Sequence, residues 1–187
     1  PGDVFASASK KTMEAAIEGG RITADTQQRY TRNLLVIVVP RGNPAGIRSA
    51  EDLAKPGYKL VLANEDVPVG GYSLTLLENL AAKLNDPAIK EKVLANVVSY
   101  ETNVKAVFNK VVLGEVDAGI VYLTDASGAG SDKVEIIRIP EEINVISSYY
   151  IAPIGDSPAP ELARQFIDLV LSEQGQAVLA KYGFQKP

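Results

Sequence analysis

The chain has 187 residues and a formal net charge of −4, and it contains neither cysteine nor histidine. Without these two residues it offers no thiolate nucleophile, no Ser-His-Asp relay and no usual zinc or copper ligands, which excludes those classes of enzyme and metal site. The acidic balance and the lack of a long Lys/Arg run argue against nucleic acid and anionic membranes as partners.

Strand and helix patterns alternate along the chain, which predicts an α/β fold with mostly parallel sheets. In chain order, the patterns predict a strand at 3–6, a helix at 10–18, a buried strand or a segment crossing between lobes at 33–40, and a short helix at 50–55 capped by Ser49. They then predict a strand at 59–63, helices at 69–84 and 88–94, a strand at 97–100, a helix at 104–112, strands at 118–123 and 134–139, an extended segment at 144–154, and helices at 161–171 and 173–182.

Two predicted helix starts are candidates for anion binding. In the stretch 66–72, Pro68 fixes φ and Gly70-Gly71 remove side-chain bulk, which leaves the N–H groups of the helix start exposed. In 99–104, a strand runs directly into a helix with Val104 in its first turn. The first N–H groups of a helix have no internal acceptor and lie at its positive dipole end. Two ordinary helix caps are the alternative interpretation.

Tyr122 closes the apolar run 119–122 and places a phenol donor at the carboxyl edge of the predicted sheet. That edge is where ligands of open α/β sheets bind. The alternative for Tyr122 is a ring that is merely packed.

Enzyme motifs are weak in this sequence. The stretch 7–10 matches the S-x-x-K pattern of penicillin-binding enzymes, but the S-D-N and K-T-G patterns that accompany it are absent, so we interpret its serines as a helix cap. The stretch 127–130 is glycine-rich but is not followed by Gly-Lys-Ser/Thr, as a phosphate loop would be. We therefore expect no enzyme activity, no cofactor and no bound metal.

Four segments in order and in register point to a known family: 3–8 (DVFASA), 67–72 (VPVGGY), 119–126 (GIVYLTDA) and 181–184 (KYGF). On these segments, the chain resembles the periplasmic molybdate-binding proteins of ABC importers, including their tungstate-binding relatives. The resemblance extends over nearly the whole chain. It implies a type II periplasmic-binding-protein fold, with two α/β lobes joined by two crossover strands.

The resemblance also implies a division into lobes and a set of ligand donors. The first lobe would comprise 1–36 and 147–187 and would be incomplete, because the family's N-terminal strand-helix-strand precedes the position of Pro1; the second lobe, 37–146, would be complete. Two serine ligands of the family lie in that preceding segment, and Ser7 and Ser9 are not their equivalents. The other donors carry over to the N–H groups of Val69 and Val104 and to the hydroxyl of Tyr122.

By this resemblance, the expected function is capture of molybdate or tungstate for ABC-type import, with the importer's permease as partner. A periplasmic or other extracytoplasmic location is implied, and any secretion signal or lipid anchor would precede Pro1. Two alternatives remain: a ligand-sensing domain of a transcription regulator with the same fold, and a truncated remnant that does not bind. Exposed edges of a shortened first lobe would favour dimerisation or strand exchange.

Overall fold

The computed structural model describes residues 2–187, and these residues form two compact units. Unit 1 contains the chain up to Asn33 together with Ile146–Pro187, and unit 2 is the continuous stretch Leu34–Val145. The chain therefore passes from unit 1 to unit 2 once and returns once.

Strands and helices alternate over most of the described chain. The strands are β1 (Val4–Ser7), β2 (Gln28–Asn33), β3 (Leu35–Pro40), β4 (Leu60–Ala63), β5 (Val97–Glu101), β6 (Ala118–Tyr122), β7 (Val134–Arg138) and β8 (Ser147–Pro153). The helices are α1 (Lys10–Glu18), α2 (Pro68–Leu84), α3 (Ile89–Ala95), α4 (Val104–Val112), α5 (Leu123–Ala126), α6 (Pro160–Leu171) and α7 (Glu173–Lys181), with short 3-10 turns at Ala24–Thr26, Glu51–Ala54 and Ser131–Lys133. None of these helices is long and apolar enough to cross a bilayer.

Unit 1 is built on a three-stranded antiparallel sheet of order β1-β8-β2 within the described residues. Its apolar centre is small: Met13 of α1 packs with Ile22 and with Ala152 of β8, all of them buried. On α7, the buried amide of Gln176 donates to the carbonyls of Tyr30 and Val170 at 2.9 and 3.0 Å, so a hydrogen-bonded polar group ties this helix to the unit.

Unit 2 has a larger core and a mixed five-stranded sheet, of order β5-β4-β6-β3-β7 over the residues described. Strand β4 pairs in parallel with β5 and β6, while β3 pairs antiparallel with β6 and β7. At Gly119 of β6, a Cβ would lie only 2.9 Å from Val107 and 3.0 Å from Val61. The glycine therefore allows α4 to pack closely on this strand.

Asn144 joins the two ends of unit 2. Its Oδ1 accepts a hydrogen bond from the backbone N–H of Leu35 at 3.1 Å, and its Nδ2 donates to the Leu35 carbonyl at 2.9 Å. The residue is 9% exposed. Because both partners are backbone atoms at the first strand of the unit, Asn144 holds the outgoing chain beside the incoming one.

The predicted α/β class is confirmed, but the prediction of mostly parallel sheets is wrong. Of the strand pairs in residues 2–187, four are antiparallel and two are parallel. Among the strands of the described residues, only β5-β4-β6 forms a parallel block. An apolar run such as that of β3 shows that a strand is buried on both faces, and it carries no information about the direction of its neighbours.

Three local features also differ from the sequence-based expectation. Strand β2 and the short helix α5 were not predicted. Ser49 does not cap the turn Glu51–Ala54, which has no side-chain cap. Instead, the carboxylate of Asp52 accepts from the N–H groups of Arg48 and Ser49 at 2.7 and 3.2 Å.

Candidate functional site

The parallel block of unit 2 brings three strand ends to one edge of the sheet. Strands β4, β5 and β6 run in the same direction, and each is followed by a helix, α2, α4 or α5 respectively. The backbone N–H of Asn64 donates to the Glu101 carbonyl at 2.8 Å, which keeps the carboxyl ends of β4 and β5 side by side. The three residues predicted from the sequence therefore follow or end three neighbouring strands: Val69, Val104 and Tyr122.

The start of α2 presents one unpaired backbone donor. The N–H groups of Gly70 and Gly71 both bind the Val67 carbonyl, at 2.8 and 3.1 Å, and Pro68 has no N–H. The N–H of Val69 has no hydrogen-bond acceptor among the described residues, and Val69 is only 1% exposed. A buried N–H without an acceptor is costly, so this position calls for a ligand or a water.

The glycines of this helix start act differently from the sequence-based expectation. They were expected to leave several N–H groups exposed, yet their own N–H groups are bonded. A Cβ on Gly70 would lie 2.6 Å from the Ala63 carbonyl oxygen and would overlap that of Asn64. Gly70 is thus required because the first turn of α2 rests directly on the end of β4, which fixes the position of the Val69 donor.

At the start of α4, two unpaired donors stand side by side. Asn103 is the N-cap, and its Oδ1 accepts from the N–H of Ala106 at 2.9 Å. The N–H groups of Val104 and Lys105 have no acceptor among residues 2–187. Val104 was predicted as a donor, whereas Lys105 was missed. The capping asparagine is the sequence signal that could have revealed it, since an N-cap side chain satisfies only the third N–H of the turn.

Tyr122 is the last residue of β6 and the N-cap of α5. Its half-buried ring meets that of Tyr72 edge-on, with ring centroids 6.4 Å apart and an interplanar angle of 76°. Tyr72 was not predicted as part of the site. It lies one helical turn beyond Val69, and that i, i+3 spacing was the available signal.

Asp125 lies beside Tyr122 in the first turn of α5. Burial raises the pKa of its carboxyl group, and hydrogen bonds from the backbone N–H groups of Tyr122 and Asp125 act in the opposite direction. The bond to the Tyr122 N–H resembles the return half of a capping box, which anchors the helix start that carries the tyrosine. Asp125 thus supports the position of Tyr122.

Other features of the sequence have structural roles or lie apart from these donors. Ser9 caps α1 by accepting from the Thr12 N–H at 3.1 Å, in agreement with the interpretation of the S-x-x-K stretch as a helix cap. A cavity of about 520 Å³ beside the end of β4 is lined by residues that include Asp66 and Lys90, and not by the predicted donors. Residues 2–187 contain no group of three or more acidic side chains that could hold a metal ion.

Comparison with known proteins supplies the family. The sequence model of the family of bacterial extracellular solute-binding proteins matches residues 1–185 of this chain. The chain belongs to this family.

Two curated relatives illustrate the range within the bacterial extracellular solute-binding proteins. The molybdate-binding protein ModA of Mycobacterium tuberculosis is 36% identical over 185 residues, which are 99% of this chain and 66% of the relative. The lipoprotein YvgL of Bacillus subtilis, described as an ABC transporter substrate-binding protein, is 30% identical over 97% of this chain and 66% of its own length. The chain thus spans just under two thirds of the length of these relatives.

Solved structures agree with the fold. A substrate-binding domain assigned to a molybdenum ABC transporter of Clostridium difficile has a TM-score of 0.86 and 27% identity, over 100% of this chain and 78% of that one. The periplasmic molybdate-binding protein of Azotobacter vinelandii has a TM-score of 0.73 at 20% identity, over 100% and 79%. The predicted type II periplasmic-binding-protein fold and the family resemblance are confirmed.

Proposed function

We propose that the chain binds a tetrahedral oxyanion, molybdate or tungstate, as the extracytoplasmic binding component of an ABC-type importer. The observation that carries this proposal is the set of unpaired N–H donors at the starts of α2 and α4, on neighbouring ends of one parallel block. Val69 and Val104 supply the backbone donors in this proposal, and Tyr122 on the third strand end supplies a hydroxyl. Units 1 and 2 then correspond to the first and second lobes of the family.

Neutral donors suit this ligand. A fully deprotonated oxyanion only accepts hydrogen bonds, so each of its oxygens requires a donor. Helix starts provide N–H groups and the positive end of a helix dipole without a mobile cation. An anion held by dipoles is released without breaking a strong ion pair, which suits a protein that must pass its ligand on.

The relatives support molybdate over sulfate. The mycobacterial molybdate-binding relative is 36% identical to this chain, and the sulfate-binding protein of Escherichia coli is 26% identical. Tungstate has nearly the same size, charge and shape as molybdate, so the same donors would accept it. Sulfate is smaller and would leave donors of fixed position at longer distances, which weakens each hydrogen bond.

A permease of an ABC importer is the proposed partner, and the proposed location is outside the cytoplasmic membrane. The family description, which names extracellular solute-binding proteins, supports the location, and the similar proteins named as substrate-binding components of ABC transporters support the partner. The Bacillus subtilis relative is named as a substrate-binding lipoprotein, which supports a lipid anchor as the means of attachment for this protein as well. A catalytic role is not proposed, because the family binds and delivers solutes.

Titration calorimetry with molybdate, tungstate and sulfate tests the proposal. We expect one site, with tighter binding of molybdate and tungstate than of sulfate. Amide resonances of Val69, Val104 and Lys105 should shift on saturation, whereas that of Asn85, at the far end of α2, should not. A folded chain that gives no heat and no amide shift with any of the three anions would contradict the proposed function.

A further inference from the structure

A partly buried ion pair joins α4, which carries two of the unpaired donors, to the end of β5. Lys110 Nζ contacts Glu101 Oε1 at 2.8 Å and the Ser99 hydroxyl oxygen at 2.8 Å. The Ser99 hydroxyl donates in turn to Glu101 Oε1 at 2.5 Å. The Glu101 side chain is 17% exposed and that of Lys110 is 32% exposed, so water only partly screens the pair. The three side chains form a closed hydrogen-bonded group, here called the Glu101 cluster.

The Glu101 cluster belongs to the edge that carries the candidate site. Glu101 is the last residue of β5 and comes three residues before Val104, and its carbonyl is the acceptor of the Asn64 N–H. The same edge carries Glu65 and Asp66 after β4 and Asp125 after β6. Acidic residues therefore follow or end the same three strands as the proposed donors, and a carboxylate near a bound dianion repels it.

Glu101 cannot relieve that repulsion by taking up a proton near neutral pH. The hydrogen bond from Lys110 and then that from Ser99 hold the pKa of its carboxyl group below the ordinary value. On β4, the residue paired with Glu101 is Ala63, which carries no charge. Of the elements that pack on β5, α4 supplies the balancing cation, Lys110; the other lysine of this helix, Lys105, forms no ion pair within the described residues.

We infer that Lys110 is a charge-balancing and positioning residue of the oxyanion site: it cancels the charge of Glu101 and holds that carboxylate against Ser99, so that the start of α4 accepts a dianion. This inference rests on the proposed function. Lys110 lies six residues beyond Val104, about 9 Å along the helix axis, so it acts through Glu101 and not as a ligand of the anion.

Charge removal at Lys110 tests the inference. Lys110→Met keeps the aliphatic stem and leaves Glu101 as an uncompensated carboxylate. In calorimetry at pH 7.5 and low salt, we expect molybdate to bind roughly three- to tenfold more weakly, because a charge near a dianion at about 10 Å in partly screened surroundings has an effect of this size. The penalty should shrink in 0.5 M salt, where the screening length falls to a few ångströms.

Rescue separates this role from a merely structural one. The double variant Lys110→Met/Glu101→Gln should regain wild-type affinity, and Lys110→Arg should retain it. Lys105→Met is the matched control: it removes the same charge from the same helix, but Lys105 has no carboxylate partner within the described residues. Its effect should be nearly the same in the wild-type background and in the Glu101→Gln background, because the two side chains form no ion pair within the described residues.

The outcomes are distinct. If the wild-type chain binds molybdate and Lys110→Met binds it equally well, or if Glu101→Gln fails to rescue the loss, the inference is overturned and the proposed function stands. If the folded wild-type chain binds none of the three anions, both are overturned. If Lys110→Met lowers the thermal stability appreciably, Lys110→Gln takes its place with the same expectations.

Discussion

The ring of Tyr122 meets the ring of Tyr72 edge-on at a centroid distance of 6.4 Å, which links the end of β6 to the second turn of α2. Edge-to-face pairs of this kind contribute about 0.5–1.5 kcal/mol beyond the area that they bury. The contact joins a side chain of the proposed site to the helix that presents Val69. The orientation of the Tyr122 ring therefore does not depend on its hydroxyl alone.

We predict that Tyr122→Phe weakens molybdate binding without unfolding the protein. The phenyl ring keeps the contact with Tyr72, while one hydrogen bond to a charged ligand is lost, worth about 1.5–3 kcal/mol or roughly tenfold or more in affinity. Calorimetry measures the affinity and thermal melting checks the fold. Tyr72→Phe, which preserves the same pair of rings, is the control and should bind like wild type.

We predict that Val104→Pro impairs binding far more than Val104→Ala. Proline is tolerated at the first position of a helix, and the preceding Asn103 has φ −160° and ψ 159°, an extended conformation that suits a residue before proline. The proline therefore removes one N–H and leaves the helix intact. We expect roughly tenfold weaker binding or more for proline and less than about threefold for alanine. Equal losses in two folded variants would show that the Val104 N–H is not a donor.

We predict opposite effects for the adjacent substitutions Gly70→Ala and Gly71→Ala. A methyl group at Gly70 would lie 2.6 Å from the Ala63 carbonyl oxygen and closer still to that of Asn64, so α2 must shift, at a cost of roughly 3 kcal/mol or more. At Gly71 the nearest atom is an ordinary 3.4 Å away. Alanine there should match or exceed wild-type stability by up to about 1 kcal/mol, because it favours the helix. Urea unfolding of the two variants measures the difference.

We predict that Asp125 and Asp52 shift stability with pH in opposite directions. Burial raises the pKa of Asp125 in the folded state, so the folded protein binds more protons and loses stability as the pH rises above about 4. The hydrogen bond from Lys55, followed by that from the Arg48 N–H, lowers the pKa of Asp52. Its contribution to stability is therefore present above about pH 4 and is lost as the pH falls through the lowered pKa.

The corresponding asparagine variants make this measurable. As the pH rises from about 3 to about 7, the free energy of unfolding of Asp125→Asn should increase relative to that of wild type. Over the same rise in pH, that of Asp52→Asn should decrease relative to wild type. Urea unfolding at both pH values gives the two differences. The same trend in both variants would mean that the pKa shift of one of the carboxyl groups has been assigned the wrong sign.

The sequence predicted most helices and strands of unit 2 but missed β2 in unit 1. The helix at 104–112 has apolar residues at i, i+3, i+4, i+7 and i+8, and its predicted bounds agree with those of α4. Strand β2 reads Gln-Arg-Tyr-Thr-Arg-Asn, and its buried side chains include Thr31 and Asn33. Thr31 is satisfied by a hydrogen bond to the Gln185 carbonyl at 2.8 Å. A strand that buries polar groups against a distant part of the chain has no apolar alternation to reveal it.

For the candidate site, the sequence indicated the two helix starts and the tyrosine, but not the contacts that hold them. The two helix starts follow from local sequence patterns, and the family resemblance gave Val69 and Val104 as the donors within them. The close approach of Gly70 to the end of β4 and the pairing of Glu101 with Lys110 depend on how strands and helices pack. Neither follows from spacing along the chain.

The closure of unit 2 by Asn144 has a consequence for protein engineering. Unit 2 is the continuous stretch Leu34–Val145, and the hydrogen bonds of Asn144 to Leu35 place its first and last residues next to each other. Domains with adjacent termini tolerate excision and transplantation into a host. We therefore expect residues 34–145 to fold autonomously when they are expressed alone or inserted into a surface turn of a reporter protein. The proposed donors lie within this segment and should be retained in it.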